Sequence, residues 1–126
     1  MSVKIVKKEL KNDYFTFYAM AFLPSQNADE PNQKDSWAVF THGYTASKRD
    51  CLPWAQRLAE AGIPSVIYDL PGHYLGSFNE CDSFDDFKAH AHETFIDAFN
   101  FLKDSLMLEG YSTDCKRVIL GGHSLG

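Results

Sequence analysis

The spacing of apolar and polar positions changes period along the chain, and the changes mark the elements. Val3 and Ile5 alternate with Lys4, which predicts a short half-buried strand over residues 3–8. Residues 14–23 are dense in aromatic side chains and predict a second strand. Asn12-Asp13 lies between them and is turn chemistry, so the two form a hairpin. Residues 24–35 are polar, carry Pro24 and Pro31, and read as a loop. Trp37-Ala38-Val39-Phe40 is a continuous apolar run, the signature of a buried strand, and it ends at Thr41-His42-Gly43-Tyr44.

The period then becomes helical. Ser47-x-x-Asp50 resembles a capping box, and Pro53 suits a first turn. Leu52, Ala55, Leu58 and Ala59 form an apolar stripe, closed by Gly62 with Pro64 beyond it. Ser65-Val66-Ile67-Tyr68 is the next buried strand and ends at Asp69. Residues 70–79 read as a glycine-rich loop. A second capping box, Ser83-x-x-Asp86, precedes Phe84, Phe87, Ala91, Phe95, Ala98, Leu102 and Leu106, whose spacing of three or four is strongly helical. Gly110 ends that helix, and Lys116 to Leu120 is the last strand.

The predicted order is β-β-β-α-β-α-β. Strands alternating with helices imply an α/β fold: a mostly parallel sheet behind a leading antiparallel hairpin, with helices on both faces. Ligands in such open sheets sit beyond the carboxyl ends of the strands. Three loops fall there: His42-Gly43-Tyr44, Asp69-Leu70-Pro71-Gly72-His73, and the turn containing Ser124.

Composition narrows the class. The chain has 126 residues, 44% of them hydrophobic and 23% charged, as expected for one ordinary globular domain. A net charge of −5 argues against nucleic-acid binding. No apolar run reaches the roughly 18 residues of a membrane span. The first eight residues lack the apolar core of a secretory signal. Three cysteines, Cys51, Cys81 and Cys115, at unrelated spacings fit reduced thiols in a cytoplasmic protein better than a disulfide framework or a zinc site. His90, His92 and Glu93 suggest metal ligands at first sight. On a helix, however, His90 and His92 point about 200° apart. His90, Glu93 and Asp97 share a face opposite the apolar stripe, which reads as a solvated face. No metal and no cofactor are expected.

The chemistry concentrates at the end of the chain. Gly122-His123-Ser124-Leu125-Gly126 is a G-x-S-x-G pattern directly after Val118-Ile119-Leu120, an apolar run that reads as a strand. A serine on a sharp turn leaving a strand presents its hydroxyl at the sheet edge, and glycines relieve the crowding in such a turn. Ser124 is thus the candidate nucleophile, able to form an acyl intermediate once a base takes its proton. The Tyr44 and Leu125 backbone N–H groups are the candidate oxyanion hole. His42 and His73 are candidate wall residues. Asp69 to His73 reads mainly as structural, with Pro71-Gly72 as a turn pair. His123 reads as packing beside the turn, because a neighbour on a sharp turn points away.

Thr41-His42-Gly43-Tyr44, Asp69-Leu70-Pro71-Gly72-His73 and Gly122-His123-Ser124-Leu125-Gly126 together make the chain resemble the N-terminal half of an α/β-hydrolase. Tyr74-Leu75 departs from the Gly-His-Gly continuation many members show. The resemblance implies a serine hydrolase acting on an ester, thioester or similar small acyl substrate. Ser124 matches the nucleophile, and Tyr44 and Leu125 match the oxyanion donors. A serine there disfavours the dehalogenase and epoxide-hydrolase branches, which use aspartate. In this family the acid and the histidine base follow the nucleophile, so no residue among 1–126 is assigned to either role. The expected organisation is a single incomplete domain over residues 1–126. Its partner is the remainder of the hydrolase domain, or a second copy paired through the last strand. The segment alone is expected to be catalytically weak. Two alternatives stay open: a binding protein that keeps the scaffold without the chemistry, and an acyltransferase or carbon–carbon hydrolase using the same serine.

Overall fold

The computed structural model describes residues 3–24, 33–41, 51–69, 77–78, 89 and 92–122. The elements are β1 (Lys4–Lys11), β2 (Phe15–Leu23), β3 (Ser36–Thr41), α1 (Leu52–Glu60), β4 (Ser65–Tyr68), β5 (Ser77–Phe78), α2 (His92–Leu108) and β6 (Arg117–Gly122).

The strands form one mixed sheet in the order β1-β2-β4-β3-β6, with the short β5 paired to β2. β1 and β2 are the expected antiparallel hairpin. Its turn is held by Asn12, whose Oδ1 accepts hydrogen bonds from the Tyr14 and Phe15 amides at 2.8 and 2.9 Å. β2 is also antiparallel to β4. β4, β3 and β6 run parallel to one another.

Alternation along the strands sends side chains to two cores. Phe15, Phe17, Ala19, Ala21 and Leu23 of β2 join Trp37, Val39, Val66 and Tyr68 under α2, against Ala98, Phe101, Leu102 and Leu106. Met20, Phe22 and Ile67 point the other way and pack with Cys51, Ala55 and Ala59 beneath α1. β2 is apolar at both parities from Ala19 to Leu23 because helices cover it on both sides. β1 carries Lys4, Lys7, Lys8 and Lys11, as a sheet edge facing water does.

α1 and α2 each end on a left-handed glycine. Gly62 has φ 92° and Gly110 has φ 78°. After α1, the Gly62 N–H reaches the Ala59 carbonyl and the Ile63 N–H reaches that of Leu58. After α2, the Gly110 and Tyr111 N–H groups reach the Met107 and Leu106 carbonyls in the same pattern. This pairing satisfies carbonyls that a helix end leaves open.

Three expectations change. The N-cap of α1 is Cys51, with no side-chain cap; Ser47 and Asp50 lie outside the described residues, as do Ser83 and Asp86. Residues 70–79 are not all loop, since Ser77–Phe78 pairs with Phe15–Thr16. Asp97 is not on a solvated face: it is half-buried against the hairpin turn, and half-buried Glu93 precedes it by one helical turn. Their place opposite the apolar stripe suggests an exposed far side, but the hairpin turn packs on that side at Asp97.

Candidate active site

The register of the parallel strands fixes the geometry of the candidate site. Thr41, the last residue of β3, faces Tyr68, the last of β4, on one side. On its other side it faces Gly122, the last of β6. The three carboxyl ends therefore form one level row. His42 follows Thr41 directly, and Tyr44 is three residues beyond it. Leu70 to His73 follow Asp69, and Ser124 is two residues beyond Gly122. Ser124, Leu125, Tyr44, His42 and His73 all lie outside the described residues; what the fold places is the strand end from which each departs. β3 leads to α1 on one face and β4 leads to α2 on the other. Connections that leave in opposite directions open a crevice at that row.

The neighbourhood of the row is built in detail. Cys51 is 4% exposed, and its Sγ donates to the Thr41 carbonyl at 3.4 Å. The two ends of the segment between β3 and α1 are thereby joined. Asp69 is fully buried, and its amide donates to the Tyr18 carbonyl at 3.0 Å. Tyr68 faces Ala19 and Ser77 faces Thr16. Three steps back along β2 thus correspond to nine steps along the later chain, six more than an unbroken strand uses.

A cavity of about 250 Å³ opens against the row on the α2 side, lined by Val39, Thr41, Tyr68, Phe95, Leu120, Gly121 and Gly122. Burial pushes the Tyr68 phenol above the usual tyrosine value, and the Thr94 and Thr41 side chains beside it offset only part of that. Sequence patterning reads Tyr68 and Phe95 as ordinary core and gives Thr94 no role. Nor did it single out Gly121. A Cβ there would come within 2.2 and 2.3 Å of Cδ1 and Cε1 of Phe40. The paired glycines Gly121-Gly122 were the available signal.

Among the described residues, no group of three or more His, Cys, Asp or Glu side chains is arranged to hold a metal ion. Among the same residues, no helix is long and apolar enough to cross a membrane. Among the described residues, β6 is the last strand in the sheet order. Its Val118, Ile119 and Leu120 are 42%, 39% and 69% exposed.

Comparison with known proteins agrees with this architecture. The family model described as alpha/beta hydrolase family matches residues 38–126. A cold-adapted esterase from an Arctic intertidal metagenomic library is 21% identical with a TM-score of 0.63, the match covering 99% of this chain and 52% of that one. Monoglyceride lipase from Saccharomyces cerevisiae is 19% identical with a TM-score of 0.59, covering 94% and 36%. An epoxide hydrolase from Vigna radiata is 17% identical with a TM-score of 0.59, covering 97% and 33%. The chain thus spans about a third to a half of these structures. No curated protein matches it. With its mixed sheet, its level row of strand ends and a family match over residues 38–126, the chain belongs to the alpha/beta hydrolase family.

Proposed function

We propose that this chain carries the nucleophile half of a serine hydrolase acting on an ester, thioester or similar acyl substrate, with Ser124 as nucleophile. The observation that carries this is the register of Thr41 with Gly122. It starts the Tyr44 segment and the Ser124 turn from adjacent, level strand ends. A nucleophile and its oxyanion donors must converge within hydrogen-bond reach of one carbonyl. The Tyr44 and Leu125 amides would stabilise the oxyanion, and His42 and His73 would wall the substrate. The base and the acid would come from the remainder of the domain. Cys51 and Cys115 form no disulfide, and reduced thiols fit a cytoplasmic setting.

The test is fluorophosphonate labelling of the natural full-length protein, with the modified residue located by mass spectrometry. Label is expected on Ser124. Ser124→Ala should abolish it and lower ester turnover about 10⁴-fold or more. Turnover that survives Ser124→Ala unchanged would remove this assignment. Binding of acyl compounds with neither labelling nor turnover would leave a scaffold without the chemistry.

A further inference from the structure

We infer that Gly121 and Phe40 form a spacing pair that sets the distance between the nucleophile turn and the oxyanion segment, with Gly121 as a positioning residue for turnover. The inference rests on the serine-hydrolase reading above. Phe40 and Gly121 are register partners on β3 and β6. They stand one step before Thr41 and Gly122, where the two functional segments depart. The Phe40 ring lies across Gly121, so that a Cβ at that position would sit 2.2 Å from Cδ1 and 2.3 Å from Cε1. No real side chain tolerates such contacts, so an added methyl must push the ring or the strand away.

The ring is half-buried, and its inner side has no open room. Phe40 packs against the cluster of Met20, Phe22, Cys51, Ala55 and Ile67 beneath α1. Behind it, the Cys51 thiol holds the Thr41 carbonyl at 3.4 Å. A ring that does not rotate clear shifts β3 at Phe40, and with it Thr41, the strand end from which the Tyr44 segment departs. If β6 moves instead, Gly122 moves, two residues before Ser124. Either shift changes the offset between the two strand ends from which the proposed donor and nucleophile depart, and a misplacement of about 1 Å can cost about 100-fold in rate. The φ of Gly121 is not in the left-handed region. Its requirement for glycine is thus a matter of space, and making space elsewhere should lift it.

The experiment uses the natural full-length protein and an ester substrate. Gly121→Ala is expected to lower kcat about 10- to 100-fold with KM within about twofold, the pattern of a lost transition-state interaction. Phe40→Val removes the ring atoms that the methyl introduced by Gly121→Ala would strike. The double variant Gly121→Ala/Phe40→Val should therefore recover kcat to within about threefold of Phe40→Val alone, a non-additivity expected only of residues in contact. The rate of fluorophosphonate labelling should fall and recover in parallel. If Gly121→Ala is insoluble, the double variant decides: it should fold and turn over as stated. Unchanged kcat in Gly121→Ala overturns the inference, and so does a double variant that is no better than Gly121→Ala. Ser124→Ala is run alongside. If it stays active, the serine-hydrolase reading fails; if it is dead while Gly121→Ala is unaffected, only the spacing pair fails.

Discussion

The Asn12 side-chain amide donates to an Asp97 carboxylate oxygen at 2.8 Å, joining the hairpin turn to a helix 85 residues further along the chain. The same Asn12 side chain accepts from the Tyr14 and Phe15 amides. One residue therefore closes the turn and docks α2 over it. Asn12→Ala removes all of these bonds and should cost about 2 kcal/mol. Asn12→Asp keeps acceptors for the two amides but sets a carboxylate against Asp97, and it should also destabilise. Urea titration checks both; an Asn12→Asp protein as stable as wild type would show that the Asp97 contact contributes nothing.

Stability should fall at alkaline pH through Tyr68. Unfolded, its phenol ionises near the ordinary value of 10.0; folded, burial holds the proton to higher pH. Below that value both states are neutral and the contribution is intact. Above it the unfolded chain loses its proton first, so stability drops as pH rises, until the folded phenol ionises as well. Burial also raises the Cys115 thiol from its ordinary 9.0, but that side chain is more exposed and its effect smaller. Urea midpoints measured between about pH 8 and 11 should show a limb that flattens in Tyr68→Phe. An identical limb in that variant would assign it elsewhere.

The two sheet edges predict different behaviour in solution. The β1 edge is lined with lysines, whereas β6 presents Val118, Ile119 and Leu120 at 42%, 39% and 69% exposure. An apolar strand with a free edge tends to pair with another chain. The 126-residue chain by itself should show a mass that rises with concentration in analytical ultracentrifugation. Leu120→Lys should suppress the rise. A concentration-independent monomer in the parent chain would count against the edge.

Gly110 offers a contrast with Gly121. Its φ is +78°, and nothing lies within 4 Å of where a Cβ would be. Gly110→Ala should thus cost about 1–2 kcal/mol from backbone conformation alone. Gly110→Asn should cost less, because Asn tolerates the left-handed region, and no second-site change should rescue either. Thermal unfolding of the pair of variants tests this. Equal losses for Ala and Asn would point to a cause other than the dihedral.

Much of this was legible from patterning. The hairpin, the parallel strands, both helix-ending glycines and the helices on opposite faces follow from period, turn residues and glycine placement, all of which are local. β5 was not legible, because Ser77–Phe78 is too short to show a period and its strand pairing is with Phe15–Thr16, some sixty residues away in sequence. Cys51 as the N-cap was missed because Ser47 and Asp50 are the better capping residues by chemistry. Asp97 was misassigned because helical spacing says which residues share a face but not what folds over it.

The order of elements, the apolar faces and the serine between glycines were written in the chain, since each depends on neighbours within a few residues. The alignment of Thr41 with Tyr68 and Gly122, the seating of Phe40 over Gly121 and the bond from Asn12 to Asp97 were decided only in three dimensions. Such contacts depend on register between segments far apart in sequence. Register is settled when whole faces pack at once, and no local period encodes it.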